Sequence, residues 1–308
     1  MIFDGLPPAA AIAAATVFGL LVGSFLNVVI LRLPPRLMWS WRQTAHSVLG
    51  EDAARRAGAN PSDASAAGDA AALAALETDP RPPGLVVERS RCPKCGHALA
   101  PWENVPVLGW LLLRGRCRAC KAPISLQYPA VELLTGLAFG LVAWRFGLGV
   151  EGLLGLGFTG LLIAASGIDL RTHYLPDELT YPLLWLGLLA STFTVYVGPV
   201  PAVLGAAVGW LALWSVFQGF KLLTGKEGMG YGDFKLLAAL GAWCGIDAIL
   251  PIVLLSSLVG AVVGGIWLKT AGRDSDSHIP FGPYLAIAGW IALLWGDNIT
   301  RWYLDIVL

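Results

Sequence analysis

Eight apolar runs, each close to the length needed to cross a lipid bilayer, constrain this chain more than any other feature of its sequence. They fall at roughly 9–31, 126–147, 150–169, 179–197, 200–222, 233–247, 248–269 and 282–303. A helix needs about 20 apolar residues to span hydrocarbon, where every backbone N–H and C=O must be satisfied inside the segment. Only 14% of the 308 residues are charged, against about 25% in soluble domains. The expected fold is therefore all-α, a polytopic membrane protein of about eight transmembrane helices. The sixth run is short, and its separation from the seventh rests on Gly245, Asp247 and Pro251.

The formal net charge of zero hides an asymmetry. Thirteen of the 21 Lys and Arg residues lie between Arg32 and Lys121. Counting spans onward places Arg171, Lys221, Lys226, Lys235, Lys269 and Arg273 on the same side, and Arg145 and Arg301 on the other. Basic residues are retained on the cytoplasmic side, so the long loop is predicted to be cytoplasmic and both termini to face outward. Arg32 follows the first apolar run and no basic residue precedes it, which reads as a span and not as a cleaved signal peptide. Tryptophans near proposed span ends, Trp102, Trp144, Trp210 and Trp302, fit an interfacial belt.

The long loop divides in two. Residues 50–84 are rich in Ala, Asp, Arg, Gly and Pro and poor in large apolar side chains, so they read as a mobile insertion with one short Ala-rich helix near 64–77. Residues 89–123 are turn-rich and carry Cys92, Cys95, Cys117 and Cys120 as two C-x2-C pairs. Two such knuckles resemble a zinc ribbon, in which four thiolates close a tetrahedral structural site. Disulfides or a redox pair compete with this reading, but a cytoplasmic location disfavours them. Gly96 supports the first knuckle by tolerating positive φ, and His97 reads as a surface neighbour. The lone Cys244, in an apolar run, reads as a packing residue.

Two acids stand out against this apolar background. Asp233 lies in GMGYGDFKLLAALG (228–241), where Gly230 and Gly232 form a turn and Asp233 has an ordinary alternative as a helix cap. Asp169 lies near the end of GLLIAASGIDLRTHYLPD (160–177), and a carboxylate at a helix C-terminus opposes the helix dipole. Asp177, just after Pro176, reads as a first-turn acid. Asp169 and Asp233 at one depth suit acid–base chemistry on water, because two close carboxylates cannot both ionise cheaply and so share a proton. Glu132, inside the second span, is a further functional or paired carboxylate, with Lys226 and Arg171 as possible partners.

These stretches resemble the type IV prepilin peptidases, bifunctional leader peptidase/N-methyltransferases. The resemblance rests on GSFLNVVILRLP (23–34), CPKCGHALAPWENVPVLGWLLLRGRCRAC (92–120), ISLQYPAVELLTG (124–136), IDLRTHYLPDELT (168–180), GKEGMGYGDFKLLAALG (225–241) and IPFGPYLA (279–286), in the family's order along nearly the whole chain. It implies that Asp169 and Asp233 are the catalytic aspartates. It also implies that a basic leader is cut after glycine from type IV prepilins and pseudopilins at the inner membrane, and that the new N-terminal residue is then methylated with S-adenosylmethionine. The segment 36–88 departs from the family pattern by its length.

The expected organisation is a first span at 1–31, a cytoplasmic loop with a flexible insertion at 32–88, a zinc-binding module at 89–123, and a transmembrane catalytic bundle of seven spans at 124–308. Zn²⁺ is expected on Cys92, Cys95, Cys117 and Cys120. S-adenosylmethionine is expected without a recognisable nucleotide-binding motif, and Glu132 is the candidate contact. Membrane lipid is the expected surroundings, and nothing points to nucleic acid. Two other readings stay open: a peptidase without methyl transfer, and a transporter or assembly factor whose aspartates bind cations and whose zinc module docks a partner. The depth of the acids separates the transporter, since a transport site lies near the bilayer midplane.

Overall fold

The computed structural model describes residues 7–59, 80–226, 228–271 and 280–307. Among the described residues, eight long helices occupy the eight apolar runs: α1 (Pro8–Ala59), α3 (Gln127–Phe146), α4 (Val150–Thr172), α5 (Asp177–Thr192), α6 (Pro199–Thr224), α7 (Tyr231–Cys244), α8 (Ile249–Ala271) and α9 (Gly282–Val307). A five-residue helix, α2 (Leu108–Leu112), follows a 3₁₀ turn at Pro101–Asn104. No strand occurs among the described residues, only two isolated bridges, Arg91 with Ala98 and Arg116 with Pro123. Among the described residues, five helical stretches are long and apolar enough to cross a membrane: Pro8–Ala45, Gln127–Phe146, Val150–Thr172, Pro199–Thr224 and Ile246–Ile266. The protein is an all-helical polytopic membrane protein.

The chain forms two compact units, one comprising Met1–Asn27 with Ala100–Leu308 and the other Val28–Leu99. Within the smaller unit, α1 continues well past the expected span end at residue 31, through Pro34 and Pro35. Two arginines, each on the helix surface, brace this extension. Arg32 Nη1 donates to the carbonyls of Gly84 at 2.7 Å and Glu88 at 3.1 Å, and Arg36 donates to that of Pro82 at 3.2 Å. Residues 50–59 of the predicted mobile insertion are thus helical, whereas the helix expected near 64–77 lies outside the described residues.

In the larger unit, helix boundaries follow the punctuation of the sequence. α4 ends at His173, whose left-handed conformation (φ 54°) lets its N–H donate back to the Asp169 carbonyl. Pro176 then stands immediately before α5, where its missing N–H costs nothing. α6 opens on Pro199 and closes on Gly225.

α7 is the centre of this unit. It packs against α5, α6 and α9, and Phe234, Leu236, Leu237, Ala239, Leu240 and Ala242 are wholly buried. A helix apolar on all sides is a core helix. This accounts for the short sixth run, because 14 residues rise only about 21 Å, yet α7 is sheathed by its neighbours. Trp243 at its far end donates to the Leu183 carbonyl at 2.7 Å and packs against Phe158 of α4, ring centroids 4.8 Å apart.

The α6–α7 contact depends on glycine. A Cβ on Gly209 would meet the Leu237 carbonyl oxygen at 2.8 Å, and those on Gly205 and Gly241 would run into each other's backbone. Backbones this close exclude any side chain, the arrangement typical of helix pairs in membranes. Gly241→Ala is therefore expected to lower stability by about 1–3 kcal/mol. Fluorescence-monitored unfolding in detergent checks this, and Gly219→Ala, whose added Cβ would meet nothing within 4 Å, should leave the transition in place.

Candidate active site

The two aspartates arrive from opposite directions. α4 runs toward Asp169 near its C-terminus, and α7 runs away from Asp233 in its first turn. Both side chains are buried, Asp169 at 5% exposure and Asp233 at 8%. The carboxylates lie close enough to interact electrostatically. Burial of unpaired charge at this depth is costly, so two acids meeting there demand a functional reason.

Their surroundings differ. Asp169 Oδ2 accepts the backbone N–H of Gly282, the first residue of α9, at 3.1 Å. Asp233 Oδ1 is buried with no hydrogen-bond partner. The ordinary explanation for Asp233 as a helix cap does not hold. The cap position of α7 is Gly230, no side chain caps the helix, and Asp233 sits three residues further in.

Leu175, in the link between α4 and α5, fills the space beside both acids. A Cβ on Gly232, next to Asp233, would lie 2.7 Å from Leu175 Cβ, and one on Gly282 would lie 3.0 Å from Leu175 Cδ1. Leu175 is 5% exposed. The sequence reading did not single out Leu175 or Gly282. The Gly-Pro pair at 282–283 was the available signal, as a turn entering the last span.

Lys235, two residues beyond Asp233 and so on the other side of the helix, pairs elsewhere. Its Nζ donates to both oxygens of Asp177, at 2.6 and 2.9 Å, and lies 5.1 Å from the Tyr181 ring centre. Asp177 thus ties the start of α5 to α7. Burial, with Glu178 and Asp177 nearby, pushes the Tyr174 hydroxyl above its ordinary range, so it stays a neutral phenol.

Glu132 lies at the contact between α3 and the part of α1 around Gly23. Its Oε2 accepts the Val107 N–H at 2.7 Å, and the Ser24 side chain lies beside its carboxylate. Val107 has φ 60°, an uncommon conformation for a β-branched residue. Arg171 donates instead to Gln127 Oε1 at 2.8 Å.

Each cysteine pair sits in its own knuckle. In the first, the Cys92 N–H donates to His97 O and the Gly96 N–H to Cys92 O. In the second, the Cys117 N–H donates to Ala122 O and the Lys121 N–H to Cys117 O. Gly96 (φ 71°) and Lys121 (φ 59°) occupy matching left-handed positions, so glycine supplies the turn once and a lysine is held in it once. None of the four cysteines is in a disulfide, and their sulfurs lie within 4.8 Å of one another. Four Zn–S bonds of about 2.3 Å in a tetrahedron set sulfurs about 3.8 Å apart, so the donor set fits such an ion.

A polytopic helical membrane protein with a buried pair of aspartates and a four-thiol cluster is the class that fold and site define. Residues 17–146 match the model of the bacterial peptidase A24 N-terminal domain, and residues 156–265 match that of the type IV leader peptidase family. The chain is 52% identical over 297 residues to a prepilin leader peptidase/N-methyltransferase of Xanthomonas campestris, covering 96% of each. It is 49% identical over 300 residues to one of Pseudomonas aeruginosa, covering 97% of this chain and 95% of that one. With one of Neisseria gonorrhoeae the identity is 42% over 297 residues, 96% and 95% of the two chains. The chain belongs to the type IV leader peptidase family. No solved structure matches it.

The Lys235–Asp177 pair is part-exposed, so its worth is small, about 1 kcal/mol or less. A double-mutant cycle with Lys235→Met and Asp177→Asn, read by thermal unfolding, should return a coupling of that size. Asp177→Asn should retain most leader cleavage, in contrast to the same change at Asp169.

Proposed function

We propose that this protein is a membrane aspartyl endopeptidase that removes the basic leader from type IV prepilins and pseudopilins after glycine, and that it methylates the new N-terminal residue. The observation that carries the reading is the meeting of two buried aspartates from α4 and α7, one with a fixed donor and one with an unpartnered oxygen. Identity of about half the residues to named relatives along nearly the whole chain supports both activities.

The chemistry needs one proton shared by two carboxyl groups. The ionised carboxylate takes a proton from water, whose oxygen bonds the scissile carbonyl carbon. The carbonyl π pair moves to its oxygen, which takes the proton of the second carboxyl group. The resulting diol collapses when the first group returns its proton to the peptide nitrogen, the C–N bond breaks, and a hydroxyl proton passes back to the second group. Water is thereby added across the bond, and the pair ends as it began.

Asp169 and Asp233 fill these roles at the cytoplasmic edge of the bacterial inner membrane. The distribution of basic residues supports that placement, since nineteen of 21 fall on one side when the chain is counted as spanning eight times. A substrate whose hydrophobic helix is anchored in the bilayer presents its cleavage point there. On this reading the chain divides into a first span (1–31), a cytoplasmic segment (32–88) whose first part continues α1, a zinc module (89–123) and a catalytic bundle (124–308).

S-adenosylmethionine supplies the methyl group. Asn27, Gln127 and Glu132 gather where α1 meets α3: the Asn27 Nδ2 donates to the Tyr128 carbonyl at 3.0 Å, and a Cβ on Gly23 would lie 2.7 Å from the Glu132 Cα. Asn27 Oδ1 and Gln127 Nε2 are buried without partners. This unmet polar capacity fits a polar cofactor, with Glu132 as the acidic contact. Zn²⁺ on Cys92, Cys95, Cys117 and Cys120 has a structural role, since four protein ligands leave no open position.

Purified protein in detergent, incubated with a prepilin, should shorten it. Asp169→Asn and Asp233→Asn should each lose at least about a thousandfold in rate, as expected for reacting groups. Mass spectrometry should find one methyl group on the mature N-terminus only when S-adenosylmethionine is supplied. Elemental analysis should return about one zinc per chain, lost in Cys117→Ser, whereas protein without metal but fully active would remove the zinc assignment.

A further inference from the structure

The helices that bear the two acids do not form the principal contact that joins them. α9 packs against both α4 and α7, and its first residue reaches Asp169 directly.

The hydrogen bonds at the start of α9 single out one donor. An α-helix begins with N–H groups that lack helical partners. In α9, the Tyr284 and Leu285 N–H groups both donate to the Phe281 carbonyl, at 3.1 and 3.2 Å. Pro283 has no N–H. The Gly282 N–H is the donor left at this end, and Asp169 Oδ2 accepts it inside the protein.

Glycine is required at 282 by space as well. A Cβ there would stand 2.7 Å from Asp169 Oδ2, a contact that displaces the carboxylate. The opposite flank is set by Leu175, which abuts both Gly282 and Gly232. One leucine thus spaces the residue that holds Asp169 from the residue that precedes Asp233.

We propose that Gly282 and Leu175 are positioning residues of the peptidase: the Gly282 N–H fixes Oδ2 of Asp169 so that Oδ1 faces the water, opposite the unpartnered Oδ1 of Asp233, and Leu175 sets the separation of the two carboxyl groups. The proposal rests on the assignment of Asp169 and Asp233 as the catalytic pair. It adds a third chain segment, about 110 residues beyond Asp169 in sequence, to a site otherwise described by two. Misplacing a reacting group by about 1 Å costs up to about a hundredfold in rate while leaving substrate binding intact.

The test is leader cleavage by full-length protein in detergent, with kcat and KM measured separately and folding followed by thermal unfolding. Gly282→Ala keeps the N–H but adds the displacing methyl, and its kcat should fall about tenfold or more with KM within about twofold. Leu175→Ala should lower kcat several-fold, and the volume-conserving Leu175→Met should restore it. A folded Gly282→Ala with kcat within twofold of the parent overturns the proposal, as does a loss confined to KM. If Gly282→Ala does not fold, the Leu175 pair decides: unchanged kcat in Leu175→Ala, or an equal loss in Leu175→Met, overturns it. Asp169→Asn in the same assay isolates the premise, since retained cleavage there overturns the catalytic pair itself.

Discussion

Two carboxyl groups buried together are the constraint on which the rest of this structure depends. Each resists desolvation, and each resists the other. Their meeting is tolerated because the surrounding helices hold them there. α7 is locked by its glycine contact with α6, by Trp243 against Leu183 and Phe158, and by the Lys235–Asp177 pair at its start. Asp169 is held from the other side by Gly282.

The same arrangement separates structural work from chemistry among the acids. Asp177 has a lysine partner, and Glu132 has a backbone N–H and a serine. Asp233 alone keeps a buried oxygen without a partner among these acids. An unsatisfied carboxylate oxygen beside a second acid is the feature that a stable fold would remove and that water activation requires.

Much of this was legible from sequence, and the failures have physical causes. Hydrophobic run length located all eight long helices, and glycine and proline marked most of their ends. The extension of α1 was missed because the apolar run stops at Arg32, whereas Arg32 and Arg36 hold the helix against the 81–89 segment. The shortness of the sixth run reflected a helix enclosed by protein, which length alone does not reveal. The cysteine spacing foretold four sulfurs in one place. The part played by Gly282 was illegible, because a backbone N–H carries no side-chain signature and its acceptor lies far away in the chain.

The central claim is that Asp169 and Asp233 grip one water between them at the end of the bundle. The most direct measurement is an experimental structure of the protein bound to a substrate peptide in which the scissile amide is replaced by a hydroxyl-bearing isostere. The account predicts the isostere hydroxyl within hydrogen-bond distance of both carboxyl groups, with the Gly282 N–H still on Asp169. A hydroxyl bound by neither acid, or the two carboxyl groups turned to separate faces of the bundle in the complex, would contradict it.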